Sequence, residues 1–140
     1  TIDHGIFYIT SKLVQAMMAV KLNQLFKAAG HVVMVNASSP GLAATSLKTI
    51  QSKATAWPMR LGALSFRVLS WVRQSPQQAA LSALYAATAP RAEGGVIYAP
   101  ALWHGLRGYP GLSAWNQRPE LHDQALLDRL YRASRQVTGI

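Results

Sequence analysis

Cysteine is absent from all 140 residues. That excludes disulfides, thiolate nucleophiles and thiolate-bound zinc, and is neutral between reducing and oxidising compartments. Acidic residues are scarce, with five Asp and Glu against fourteen Lys and Arg, a formal net charge of +9. Between His4 and Ala92 there are nine basic residues and no acidic one, while the remainder carries five of each sign. No apolar run is long enough to span a bilayer, because the richest stretch, Trp57 to Val72, is broken by Arg60 and Arg67. No signal peptide is recognisable at Thr1, and a cytoplasmic location is expected. The four histidines, His4, His31, His104 and His122, are not spaced as paired ligands, so no metal site is expected. Nor is there a Gly-x-Ser-x-Gly elbow to make a hydrolase triad of Ser38, Ser39 and His104; Ser39, before proline in a turn, reads as structural.

What is present is a globular composition, 50% apolar and 14% charged, which rules out a disordered chain. The basic excess has two readings. One is an anionic partner, whether nucleic acid, an acidic membrane surface or the phosphates of a cofactor; the other is compensation by acids elsewhere in a larger domain. The charges are scattered along several elements without a Lys/Arg cluster, which favours the second, and no nucleic-acid partner is expected.

Tyr8-Ile9-Thr10-Ser11-Lys12 carries the most chemistry. Four residues apart on a helix, Tyr8 and Lys12 share a face, so the ammonium can approach the phenol. A nearby positive charge favours phenolate and brings the hydroxyl toward the range useful for proton transfer. Periodicity predicts a helix from about Phe7 to Ala29, with Ile9, Leu13, Met17 and Val20 on one stripe and Val14, Met18, Leu22, Leu25 and Phe26 broadening it. Gly30 is placed to end it. The β-branched run from His31 to Asn36 then predicts a strand, Val32 to Val35, buried on both faces of a parallel sheet. Ser39-Pro40-Gly41 breaks it at the carboxyl end, where open α/β sheets bind their ligands.

Further along, Trp57 opens a predicted helix to about Arg73 with Leu61, Leu64, Val68 and Val72 on one stripe. Ser75-Pro76 caps another, to about Ala89. Gly94 to Tyr98 reads as a short strand, and the loop holding Gly105, Gly108 and Gly111 as a set of turns. A terminal helix is predicted from Glu120 to Gln136, with Leu126, Leu130, Ala133 and Val137 inward and Arg129, Arg132 and Arg135 outward.

Tyr8-Ile-Thr-Ser-Lys12-Leu and Ser39-Pro40-Gly41-Leu-Ala-Ala-Thr45 resemble the short-chain dehydrogenase/reductase family, particularly its retinol-dehydrogenase-like branch. Leu84 to Pro90, Gly94 to Tyr98, Arg107 to Pro110 and the terminal Leu126 to Gly139 extend the resemblance over nearly the whole chain in order. It implies an α/β fold, the last two strands and flanking helices of a doubly wound, Rossmann-like parallel sheet. It also implies that residues 1–140 are the carboxyl-terminal half of a single NAD(P)-binding domain of about 250 residues. The amino-terminal half would be missing, since no Gly-x-x-x-Gly-x-Gly turn occurs and the family's carbonyl-polarising serine would lie before Thr1. Ser39 and Lys21-Leu22 depart from the commoner family residues.

Carried over position by position, the resemblance makes Tyr8 the catalytic acid/base. Lys12 tunes it and holds the nicotinamide ribose, while Pro40, Gly41 and Thr45 form the turn beside the nicotinamide. The intact parent would use NAD or NADP to move hydride to or from a small, lipophilic alcohol or carbonyl substrate. The stretch Trp57 to Arg73 then either covers that substrate or packs as an ordinary helix on the missing half. Two expectations apply to the isolated chain: it is inactive, and it self-associates through uncovered apolar surface. The alternative, from another class, is a non-catalytic remnant or interaction module with the tyrosine helix exposed.

Overall fold

The computed structural model describes residues 4–43 and 73–139. Thr45 and the predicted helix from Trp57 lie outside the described residues, apart from Arg73 at its end. The first helix, α1, runs His4–Ala28. It stops in a Schellman arrangement, with Gly30 left-handed at φ 76°, Gly30 N–H donating to the Lys27 carbonyl and His31 N–H donating to that of Phe26. The Phe26 and His31 rings meet edge-on at 5.8 Å across this end.

Only part of the apolar surface of α1 is covered. Leu13, Ala16, Met17 and Val20 pack with Ile97, Leu121, Leu127 and Leu130 to form the core. Ile9, predicted to continue that stripe, is exposed, as are Ile6, Phe7 and Val14.

The run after α1 departs from expectation. Val32, Val33 and Met34 are exposed, Val32 completely, and the strand β1 is only Ala37–Ser38. Among the described residues nothing pairs along the outer edge of His31–Val35 or covers its faces, so its β-branched side chains find no burial. Its inner end alone is anchored: Val35 N–H donates to Asn23 Oδ1 at 3.0 Å and the Val35 carbonyl accepts from Gly95 N–H at 2.9 Å.

Helix α2, Pro76–Thr88, starts as its sequence predicts, with Ser75 Oγ accepting from Gln78 N–H at 3.2 Å. Strand β2, Ile97–Leu102, pairs parallel with β1, Ala37 opposite Ile97, and antiparallel with β3, Arg107–Leu112, Tyr98 opposite Leu112. Among the described residues the fold is thus α/β with three helices and a mixed three-stranded sheet, ordered β1-β2-β3. The two expected strands do pair in parallel, and β3 makes the sheet mixed. One expectation is corrected, the loop of turns around Gly108. The glycines there are strand residues at a close approach: a Cβ on Gly108 would stand 3.0 Å from Leu102 Cγ, and one on Gly111 3.2 Å from Ala101 Cβ.

Alternation along β2 sends Ile97 into the core with α1 and Tyr98 toward Tyr85 of α2, ring centroids 5.3 Å apart. The strand is therefore covered by helix on both faces. Helix α3, Gln124–Thr138, is capped by Asp123, whose carboxylate accepts from Leu126 N–H at 3.0 Å. Its innermost residue is Leu127, fully buried, while Ala133 and Val137, expected inward, are exposed. The reason is the position of its partner: α1 clasps the first turns of α3, where Lys21 pairs with Asp128 at 2.5 Å. No helix among the described residues is long and apolar enough to cross a membrane.

Candidate functional site

The tyrosine helix presents its polar pair to the surface. Tyr8 is 63% exposed, and its hydroxyl has no hydrogen-bond partner among the described residues. Lys12 Nζ lies over the Tyr8 ring, 5.5 Å from its centroid, and donates to Gln15 Oε1 at 3.3 Å. Ser11 Oγ donates back to the Tyr8 carbonyl at 2.7 Å, the local bond a serine makes inside a helix.

Pro40 and Gly41 follow β1 at its carboxyl end. Gly41 is left-handed at φ 64°, and a Cβ built there would stand 2.6 Å from the Leu106 carbonyl oxygen, 2.8 Å from Pro100 Cγ and 2.9 Å from the Gly105 carbonyl oxygen. Only glycine can bring this turn against the tip of the β2–β3 hairpin. The contact is bonded, Leu42 N–H donating to the Leu106 carbonyl at 2.8 Å, and Gly41 N–H reaches Ser39 Oγ at 3.4 Å, a structural use of that hydroxyl.

Gln74, a residue the sequence did not single out, locks the turn in place. It is 1% exposed; Nε2 donates to the Pro40 carbonyl at 2.6 Å and Oε1 accepts from Gly108 N–H at 3.2 Å. A lone glutamine before a Ser-Pro cap carries no local pattern that would have marked it. Asn23 was missed likewise, although a polar residue late in an apolar helix is a usable signal. Its side chain fills the place of a Gly94 Cβ and binds Val35 N–H.

Tyr8 and Lys12 are thus brought together on one helix, and Pro40 and Gly41 on one turn, with no hydrogen bond linking the two pairs among the described residues. Beside the turn, the hairpin tip borders an open groove of about 950 Å³, lined among others by Pro100, Trp103, His104, Leu106, Leu112 and Asn116.

No family model matches the chain, and no solved structure does. Over 88 residues, 62% of its length, it is 35% identical to the polyprenol dehydrogenase of Mus musculus. Those residues are 24% of the mouse protein, so the chain spans about a quarter of the length of the curated relative it matches. In sequence, most of this chain is similar to one part of a dehydrogenase.

Proposed function

We propose that this chain is the carboxyl-terminal portion of a nicotinamide-dependent oxidoreductase of the short-chain type, acting on the alcohol or carbonyl group of a lipophilic substrate. The observation that carries the reading is the Tyr8–Lys12 pair: a phenol hydroxyl without a hydrogen-bond partner among the described residues and an ammonium 5.5 Å from its ring, on an exposed face of one helix. Similarity to a polyprenol dehydrogenase supports the oxidoreductase class, and the word polyprenol suggests the substrate's apolar character.

The residues fit a nicotinamide cofactor in part. Tyr8 and Lys12 have hydrogen-bonding capacity to offer the ribose, whereas the Pro40 carbonyl and Leu42 N–H are already used within the fold. The Pro-Gly turn therefore contributes a fixed backbone shape rather than those two groups. When bound, the nicotinamide supplies the hydride acceptor or donor. Tyr8 takes the hydroxyl proton of the alcohol during oxidation and returns it to the carbonyl oxygen during reduction, while the Lys12 charge stabilises the phenolate. Pro40, Gly41 and Thr45 keep the place beside the nicotinamide that the resemblance implies.

The test is oxidation of farnesol by the full-length gene product with NAD or NADP, followed by absorbance of the reduced nicotinamide. Turnover that disappears in Tyr8→Phe is expected. Undiminished turnover in that variant would remove Tyr8 from the chemistry.

A further inference from the structure

The groove at the hairpin tip is lined mainly by apolar residues. Trp103, Leu106 and Leu112 line it and are exposed by 56, 42 and 61%. Of its two amides, Asn116 is consumed by the fold: Oδ1 accepts from Ile97 N–H at 2.8 Å and Nδ2 donates to the Ile97 carbonyl at 2.9 Å. The Asn116 carbonyl is bonded in turn to His122 Nε2 at 2.7 Å. What remains, beside His104, Ser113 and Gln117, is a mostly apolar trough of about 950 Å³, at the upper end of the roughly 300–1,000 Å³ of small-molecule sites.

Two further observations point to a ligand. Trp103 and His104 are the only described residues other than glycine held at positive φ, 50° and 54°, followed by Gly105 at 89°. A bulky side chain in the left-handed region is strained, and strain of this kind concentrates at ligand clamps. Here it turns an indole into the groove lining instead of letting glycine make the turn. Secondly, the groove is continuous with the Pro-Gly turn, because Pro100, Gly105 and Leu106 both line it and meet Gly41.

We infer that this groove binds the hydrocarbon chain of the substrate, an isoprenoid or comparably long aliphatic alcohol whose chain runs outward from the Pro40–Gly41 turn along Leu106, Trp103 and Leu112. The inference rests on the proposed oxidoreductase reading for the substrate's reacting end, and on the hairpin alone for its tail. Trp103 acts as a specificity residue: it rewards chain length and touches no reacting atom.

Two measurements on the full-length gene product separate the inference from the function beneath it. Photolabelling with a farnesol analogue carrying a diazirine at the chain terminus is expected to mark the peptide spanning 100–117. In kinetics, Trp103→Gly removes the indole and relieves the left-handed strain, so the variant folds. Its preference in kcat/KM for farnesol over prenol should fall at least about tenfold, since apolar pocket contacts discriminate on that scale. Labelling confined to other segments, or an unchanged chain-length preference in Trp103→Gly, overturns the groove assignment and leaves the oxidoreductase reading standing. Label lost on dilution, together with a dimer that buries the hairpin, also overturns it, by showing a second copy as the occupant. If no alcohol is turned over, the oxidoreductase reading fails and the labelled peptide alone decides the groove.

Discussion

The Lys12 ammonium lies over the face of the Tyr8 ring, 5.5 Å from its centroid, rather than in a hydrogen bond with its hydroxyl. The lysine is a neighbouring charge within a helical turn, and the exposed phenol makes no hydrogen bond through its hydroxyl among the described residues.

Removing that hydroxyl should therefore separate chemistry from stability. Tyr8→Phe is expected to lower turnover of the full-length enzyme by about 10²–10⁴-fold, the usual contribution of a positioned acid/base. Its unfolding free energy should stay within about 0.5 kcal/mol of wild type, as for other surface changes. Initial rates and urea denaturation of the same preparations check both halves.

Gly30 and Gly41 are both left-handed, at φ 76° and 64°, but only Gly41 is crowded. Alanine at position 30 meets nothing within 4 Å, so it should cost about 1–2 kcal/mol from backbone strain alone. Alanine at 41 should cost about 1–3 kcal/mol more, because the hairpin backbone must move. Equal losses in denaturant titrations of the two variants would contradict the close approach of turn and hairpin.

Gln74→Leu keeps bulk at a buried position and deprives the Pro40 carbonyl and Gly108 N–H of their partner. A loss of about 1–3 kcal/mol per stranded group is expected. Gln74→Glu should not rescue it, since a carboxylate oxygen facing the Pro40 carbonyl cannot donate. Thermal melts of both variants beside wild type give the comparison.

The hydrogen bond and charge of Lys21 hold the Asp128 carboxyl below its ordinary value, aided by the charge of Arg132 and opposed by partial desolvation. A depressed carboxyl contributes stability above its unfolded value and loses it as pH falls through the folded one. The tie between α1 and α3 should therefore hold at neutral pH and weaken below about pH 4. Melting temperatures of wild type and Asp128→Asn, recorded against pH, should converge in acid; parallel curves would show that the pair adds nothing.

Ile6, Phe7 and Ile9 near the start of α1 and Val32 to Met34 after its end leave two apolar patches uncovered among the described residues. The 140-residue chain alone is expected to sediment as more than a monomer. Phe7→Asp with Val32→Asp should shift it toward monomer. A monodisperse wild-type monomer with a sharp melt would show that the surface is tolerated in water.

Local rules carried the sequence reading a long way. The Schellman stop at Gly30, the Ser75-Pro76 start of α2 and the Tyr8–Lys12 face each depend on residues within a turn or two of one another, so a linear text states them in full. Strand Val32 to Val35 was read from side chains suited to burial on two faces, yet burial needs neighbours, and none is supplied among the described residues. The hairpin was hidden for the opposite reason. Gly108 and Gly111 read as breakers in isolation, and become strand residues only through pairing with β2, where Leu102 and Ala101 lie close to them. The inward face of α3 was centred wrongly, since where α1 crosses it is a matter of packing. Gln74 was invisible because its two partners lie 34 residues away in each direction along the chain. Sequence alone thus determined the end of α1, the start of α2 and the chemistry placed on α1. The terminal helix starts at Gln124 and not at the expected Glu120, because Pro119–Leu121 forms a separate 3-10 turn. Tertiary structure decided which apolar faces are buried and what holds the Pro-Gly turn, because both depend on contacts between segments that no local pattern encodes.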